Sequence, residues 1–566
     1  MNFRLKYLLT VLCLTIVFYS SAQVGEDVRE MHREVADDPY IQVDKSIQAR
    51  TPAYKMRSAN FYTTQVNVDS NGDNIVGDAG NEPSIAIDPT NPDRIVIGWR
   101  QFDDISSNFR QAGYGYSLDG GVTFTFPGVL DPGVFRSDPV LDFDSDGNFY
   151  YNSLQGTFEC DVFKITDGGT SWENPVPAFG GDKQWMTIDK SAGASAGHNY
   201  SYWNTSFTTC APGAFTRSTD GSNTFENCEV IDNTPFWGTL KVDANGDLYL
   251  VGRNGGGSGM VVVKSTNAKN PAQVVDWDFV SSVNLDGLVY AQADVNPAGL
   301  VGQAWIDTDN SDGPGDGNVY VLGSVFRFSN SDPADVMFAR STDGGVSFEP
   351  PVRINIDNDD TSFQWMGTMS VAPNGRIDVV YLDTSTADPG TVDSRLIYCW
   401  SDDQGDTWND YLVISEMFDP TVGYPNQNKM GDYFDMKSDN DYAHLAWCNT
   451  LNGGQDVYYS RISPDGTLGV SEIVLAEGFG FTNYPNPFSE TTTLQFYTAE
   501  ESTVILEVFD IQGRRVRTLL EGSVNGLQKV RWDGRTSSGN KLHKGLYFAR
   551  LNVNGVIKTQ KIVLGN

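Results

Sequence analysis

One eight-residue motif recurs along this chain, and its recurrence limits the fold more than any other feature. Ser117-Leu118-Asp119-Gly120-Gly121-Val122-Thr123-Phe124 returns as Ile165-Thr166-Asp167-Gly168-Gly169-Thr170-Ser171-Trp172 and as Ser218-Thr219-Asp220-Gly221-Ser222-Asn223-Thr224-Phe225. It returns again as Ser341-Thr342-Asp343-Gly344-Gly345-Val346-Ser347-Phe348 and as Ser401-Asp402-Asp403-Gln404-Gly405-Asp406-Thr407-Trp408. Two degenerate copies, Ser265-Thr266-Asn267 and Ser463-Pro464-Asp465-Gly466, stand in phase. Asp and Ser bond to turn backbone groups, Gly takes positive φ at little cost, and the closing aromatic packs inward, so the motif reads as a tight hairpin. Asp119, Asp167, Asp220, Asp343 and Asp403 are therefore expected to be structural.

An apolar or alternating strand precedes each copy, such as Val336-Met337-Phe338-Ala339-Arg340. Earlier in each unit stand two more strands joined by a polar turn, as in Met369–Ala372 with Ile377–Leu382. The unit is thus about four strands, repeated seven times between residues 82 and 470. Such units cannot bury both faces alone, and radial packing into a propeller satisfies them. The fold class expected is all-β, with seven blades favoured and six possible. Asn60–Asp69, ahead of the first unit, is positioned to supply an outer strand that closes the ring.

These repeats resemble the Asp-box (BNR) repeats of the sialidase-like β-propeller superfamily, over most of the chain. The resemblance implies the fold and a ligand face opposite the Asp boxes; it does not by itself imply a reaction. Sialidases of the superfamily have six blades, one fewer than the count here. The formal charge of −34 argues against nucleic acid as a partner and suits cation binding, notably of calcium.

The ends of the chain differ from the middle. Arg4 and Lys6 precede an apolar run from Tyr7 to Tyr19, and Ser20-Ser21-Ala22 provides small residues for cleavage, so residues 1–22 read as a signal peptide. No segment is long and apolar enough to predict a membrane span. Residues 23–58, with a short helical patch at Glu26–Val35, read as a leader or a loosely docked arm before a propeller at 59–478. From 479 to 566 the composition turns basic. Asn483-Tyr484-Pro485-Asn486-Pro487-Phe488, Gly513-Arg514, Trp532-Asp533-Gly534 and Gly545-Leu546-Tyr547-Phe548 resemble the C-terminal sorting domain of type IX secretion in Bacteroidetes, a small β-sandwich. That resemblance implies passage through the periplasm of a Gram-negative bacterium to the cell surface or beyond, with the secretion machinery as a partner.

On the ligand face, Arg100, Asp103 and Arg110 are expected in the loop between the second and third strands of the first unit, and Arg253 in that of the fourth. Glu82, Arg136, Asp138, Lys183, Trp185, Trp237, Gln364, Trp365, Lys429, Asp432 and Tyr433 stand where the chain begins a new inner strand. Aromatic rings beside acids and amides suit sugars, whose apolar faces stack and whose hydroxyls need paired donors and acceptors. The same residues equally suit packing between blades. A sialidase needs three arginines for the substrate carboxylate, an acid, and a Tyr–Glu nucleophile pair. Arg100, Arg136 and Arg253 are candidates for the trio, Asp138 or Asp103 for the acid, and Tyr433 for the nucleophile. The early F-R-I-P or Y-R-I-P element of the family is missing; Asn81-Glu82-Pro83-Ser84-Ile85 stands in its place without an arginine.

Two acidic loops have the oxygen spacing of a calcium site: Asp69, Asn71, Asp73 and Asp78, and Asp307, Asp309, Asp312 and Asp316. Calcium bound there would be structural, and no organic cofactor is expected. Cys210 and Cys228 flank one hairpin and form the best disulfide candidate, leaving Cys160, Cys399 and Cys448. Three functions stay open: a surface propeller that binds extracellular glycans or glycoproteins, a glycoside hydrolase of exo-α-sialidase type, and an adhesive structural component.

Overall fold

The structure, a computed structural model, describes residues 36–565 apart from 59, 167–170, 465–480, 485 and 490. The signal peptide, the Glu26–Val35 patch, Asp167 and the end of the seventh motif copy lie outside the described residues. Among the described residues there is no helix long and apolar enough to cross a membrane.

Among the described residues, seven antiparallel sheets follow one another between residues 55 and 462, most of them simple meanders of three or four strands. Their inner strands are Ala79–Ile87, Arg136–Phe143, Trp185–Ile188, Leu240–Val242, Trp305–Thr308, Gln364–Val371 and Asp435–Ser438. Each packs on the next and the last packs on the first, so the strands close into a circle around an axis. The middle strands are buried on both faces by neighbouring sheets, as in Ile377–Asp383 and Leu248–Arg253, where every residue is buried. Two-sided burial explains why such strands read as apolar runs rather than as alternations.

The ring is closed by the N-terminal side of the propeller. Phe61–Gln65 pairs antiparallel with Asp456–Ile462, from Phe61 opposite Ile462 to Gln65 opposite Tyr458, and Lys55–Arg57 adds a further edge. The last sheet is thereby sewn from both ends of the domain, which removes an exposed sheet edge.

An inner strand has no partner on its axial side, so its free N–H groups need other acceptors. The side chains of the preceding sheet supply them. Ser84 Oγ accepts from Leu141 N at 2.8 Å, Asp142 Oδ2 from Ile188 N at 2.7 Å, and Thr239 Oγ1 from Ile306 N at 3.0 Å. Asp307 Oδ2 accepts from Val371 N at 2.9 Å, Ser370 Oγ from Ser438 N at 3.0 Å, and Asp435 Oδ2 from Ile85 N at 3.1 Å. Small hydroxyls and aspartates thus clamp six junctions of the circle.

A second device recurs just ahead of these clamps. One residue per sheet takes positive φ: Glu82 (50°), Asp138 (47°), Lys183 (56°), Trp237 (59°), Gly302 (137°), Met366 (55°) and Gly431 (101°). Register shifts at Asn81/Ser84 and Trp365/Thr368 mark it as a β-bulge that turns the chain toward the axis. Five of the seven are not glycine, and each bears a left-handed cost of about 1–2 kcal/mol that the surrounding packing offsets.

The Asp-box hairpins share one geometry. At Asp343, Oδ1 accepts from Ser341 Oγ at 2.7 Å and Ser347 N at 2.9 Å, Oδ2 accepts from Ser347 Oγ at 2.6 Å, and Ser341 Oγ accepts from Gly345 N at 2.8 Å. Asp119, Asp220 and Asp403 repeat the pattern, and Asn267 keeps only its first bond, from Ser265 Oγ at 3.1 Å.

Residues 36–58 form a docked arm. Asp37 pairs with Arg110 at 2.8 Å, Lys45 with Asp103 at 2.6 Å, and Arg50 with Asp69 at 2.9 Å, while Arg50–Pro52 pairs with Asp73–Ile75. The C-terminal strands Phe481–Tyr484, Thr492–Asp510, Arg515–Trp532, Gly545–Val553 and Val556–Leu564 make one antiparallel sheet. Phe481–Tyr484 and Val556–Leu564, which do not pair, touch, and the sheet wraps over a single core that includes Leu494, Leu506, Trp532 and Leu551.

Candidate functional site

The bulges deliver charged side chains to the axis. Glu82, Asp138 and Lys183 occupy the bulge position itself in the first three sheets; Asp432 follows Gly431 in the seventh. With Arg100, Asp182 and Lys429 they form one ionic network, every member at most 3% exposed. Lys183 Nζ lies 2.9 Å from Asp432, 3.0 Å from Asp182 and 3.8 Å from Asp138. Lys429 Nζ lies 2.7 Å from Asp432 and 3.4 Å from Glu82, and Arg100 Nε lies 3.2 Å from Glu82. A side chain at residue 431 would strike Glu82, because a Cβ there would come within 2.7 Å of its Cγ.

Four carboxylates therefore face three cations, and the imbalance falls on Glu82. Burial pushes its carboxyl up to about 8 against the pull of Arg100 and Lys429. Burial also acts on Asp138, but Lys183, Arg100 and Lys429 outweigh it and hold this carboxyl below the ordinary value. Burial opposes the charge on Lys183, yet Asp182, Asp432, Asp138 and Glu82 raise its ammonium well above the usual lysine range.

The network is roofed and floored. The hairpin Ala291–Ala293/Asn296–Leu300, between the fourth and fifth sheets, reaches the start of the seventh. Met430 N donates to Asn296 Oδ1 at 2.9 Å, Asn296 Nδ2 to Gly431 O at 2.7 Å, and Leu300 N to Asp432 Oδ1 at 2.8 Å. Beneath, Trp185 packs edge-on against Tyr433 at 5.0 Å and against Trp305 at 5.2 Å. Tyr433 is buried, its hydroxyl donates to Pro139 O at 2.8 Å, and burial holds the phenol well above its ordinary pKa.

Of the candidate arginine trio Arg100 belongs to this network, whereas Arg136, Arg253 and the remaining candidates stand apart from it. Arg100 lies inside the strand Ile95–Phe102, and Arg253 ends Leu248–Arg253, so neither is in a loop. Arg136 pairs with Asp161 at 2.6 Å and Asp131 at 2.9 Å, whereas Arg253 donates to Val289 O at 3.1 Å and Gly257 O at 2.9 Å. The three arginines share no partner among these contacts. Asp103 is held by Lys45 of the arm and by Gln111 Nε2 at 2.9 Å. Trp237 packs on Phe236 at 5.1 Å, Trp365 Nε1 donates to Ser394 Oγ at 3.1 Å, and Gln364 is buried between Asn355 and Asp383.

The aspartates of the acidic loops bond largely within the protein. Asp69 Oδ1 accepts from the backbone of Asn71 and Asp73, and its Oδ2 faces Arg50. Asp78 is buried elsewhere, taking a bond from Gln101 at 3.0 Å; burial and the charge of Asp456 push its carboxyl up. Asp307 is a clamp paired with Lys241 at 2.7 Å, and Asp312 and Asp316 are exposed. Residues 309–318 repeat the turn at 189–198 bond for bond: Asp309 N to Asn318 O and Gly317 N to Asp309 O match Asp189 N to His198 O and Gly197 N to Asp189 O. The second turn lacks the extra acids, so the aspartates at 312 and 316 are not needed to form it. Among the described residues no group of three or more His, Cys, Asp or Glu could hold a metal ion. Cys210 and Cys228 are joined in a disulfide, and Cys160, Cys399 and Cys448 are free and buried.

On the other side of the aromatic floor lies a cavity that the sequence reading passed over. It opens at the ends of the inner strands, on the Asp-box face, with a volume of about 500 Å³. Lys190, Lys241 and Lys437 line it, each paired with an aspartate at 2.6–2.8 Å: Asp142, Asp307 and Asp435 respectively. A signal existed, since each of these lysines stands within two residues of the end of an inner strand, but its meaning depends on which strands adjoin.

Residues 482–565 match the family described as the secretion system C-terminal sorting domain. The chain therefore carries a type IX sorting domain and is secreted to the cell surface or outside the cell. No curated protein matches the chain. Among solved structures, the endosialidase of phage phi92 is 10% identical over 90% of this chain and 88% of its own, with a TM-score of 0.42. The intramolecular trans-sialidase of Ruminococcus gnavus is 12% identical over 68% and 95%, with a TM-score of 0.35. PorZ, a surface component of the type IX secretion system of Porphyromonas gingivalis, is 12% identical over 86% and 70%, at 0.29. The strand order and the closed circle carry the fold assignment; these similarities add no residue to the site.

Proposed function

We propose that this exported propeller binds extracellular glycans or glycoproteins and does not hydrolyse them. One observation carries the reading. The candidate acid Asp138 is bound, together with Glu82, into a buried ionic network, and the Tyr433 hydroxyl is committed to Pro139 O. A hydrolase needs one carboxyl free to donate a proton and another group free to attack or activate water at the sugar. Here the hairpin 291–300 lies over those groups, while the accessible axial cavity opens on the opposite face.

The test is hydrolysis of fluorogenic sialosides and a panel of aryl glycosides by the full chain, followed by glycan-array binding. No turnover together with retention on specific glycans is expected. Turnover lost in Glu82→Gln or Tyr433→Phe would overturn the reading in favour of an enzyme.

A further inference from the structure

We propose that the axial cavity on the Asp-box face is an anion site that takes a carboxylate- or sulfate-bearing saccharide. The proposal rests on the glycan-binding reading above and places the ligand in a particular cavity. Its volume of about 500 Å³ falls among small-ligand sites, roughly 300–1,000 Å³.

Three lysines from three different sheets converge there. Their side chains are 32%, 32% and 25% exposed for Lys190, Lys241 and Lys437, whereas those of Asp142, Asp307 and Asp435 are 6%, 6% and 0% exposed. The ammonium groups are therefore the more exposed members of the three pairs, although Asp142, Asp307 and the buried Asp243 also line the cavity. Each carboxylate is further engaged by the backbone N–H of the next inner strand, so it is fixed in place and fixes its lysine. Lys437 and Lys241 each spend one donor on an aspartate, and an ammonium has three. Convergence is also felt electrostatically: burial, then Lys241 and Lys437, hold the Lys190 ammonium below the ordinary lysine value despite Asp142. Asn310 and Ser370 supply amide and hydroxyl groups on the wall, and Trp305 forms part of the floor. Exposed, fixed ammonium groups beside an amide and a hydroxyl suit an anionic sugar, whose charge meets lysine and whose hydroxyls meet the amide, the hydroxyl and the lining carboxylates.

The test is titration calorimetry of the full chain with a sulfated heparin disaccharide, with digalacturonate, and with cellobiose as the neutral control. Binding of at least one anionic saccharide and none of cellobiose is expected, with Kd weakened ten-fold or more in Lys241→Gln and Lys437→Gln. The preference between sulfate and carboxylate identifies the source of the anion. Melting curves of both variants establish that they are folded; Lys190→Gln provides a third should either fail. The proposal is overturned if neither anionic saccharide binds, if the affinities are unchanged in folded variants, or if a glutamate-rich peptide occupies the cavity and the saccharides do not. Glycan-array binding that survives the lysine variants would overturn the site and leave the proposed function standing.

Discussion

Lys183 Nζ lies 2.9 Å from Asp432 Oδ2, joining the third sheet of the propeller to the seventh across the axis. The two residues are 1% and 0% exposed, so the pair works in a desolvated interior. Removing one partner strands a buried charge, which costs about 3–5 kcal/mol, whereas removing both costs less. Lys183→Met is expected to lower unfolding stability by that amount in urea titrations, and Lys183→Met with Asp432→Asn by clearly less than the sum of the single variants.

Glu82 makes the stability of the propeller depend on pH. Its carboxyl is raised to about 8 by burial, from an ordinary value of 4.5. The folded state therefore holds this proton more tightly than the unfolded state. Its contribution is fully present below the unfolded value and is lost as pH rises through the folded one. Glu82→Gln keeps a neutral side chain at every pH. Between pH 5 and 8 the melting temperature of the native chain should fall relative to that of the variant; parallel curves would refute the assignment. Asp456, pushed up to about 7 by burial, acts in the same direction in both proteins and cancels in the comparison.

The Cys210–Cys228 disulfide closes a loop of sequence separation 18 around the third Asp box. Loop-closure entropy for that length corresponds to about 3 kcal/mol. The Cys210→Ser/Cys228→Ser variant should lose about that much stability. Burial raises the thiols of Cys160, Cys399 and Cys448 and shields them. Thiol reagents should label none of these three in the native chain and all of them in denaturant.

Closure of the ring is open to a single substitution. Tyr62 is wholly buried in the closing strand, and its hydroxyl donates to Gly120 O in the first Asp box. Tyr62→Ala should cost about 3–5 kcal/mol, in line with other large aromatic truncations in cores. Loosening the strand also bares the edge of Asp456–Ile462, so concentration-dependent association should appear in sedimentation before global unfolding.

The Asp boxes were readable because their bonds are local. Ser341, Asp343, Gly345 and Ser347 satisfy one another within seven residues, so the pattern of residue types is the structure. The closing role of Asn60–Asp69 was readable from order alone, as a strand-like segment ahead of the first unit. The acidic loops could not be assigned from spacing, because oxygen spacing is shared by cation loops and by turns whose aspartates accept backbone N–H bonds. Nothing in the spacing shows that Arg50 stands against Asp69, or that Asp78 is buried near Asp456.

The candidate ligand residues illustrate the same boundary. Glu82, Asp138, Lys183 and Asp432 were legible as residues at the start of inner strands, and their types suggested a binding surface. That they neutralise one another, and that the hairpin at 291–300 lies over them, depends on contacts between sheets far apart in the chain. The three lysines of the cavity face a like dependence, because Asp142, Asp307 and Asp435 meet them only in the closed ring. The sequence by itself determined the repeating unit and the sorting domain, since these rest on hydrogen bonds and apolar periodicity within a few residues. Which face of the propeller is sealed and which is open was decided by tertiary structure alone, because charge pairing across an axis is set by distances that no local pattern encodes.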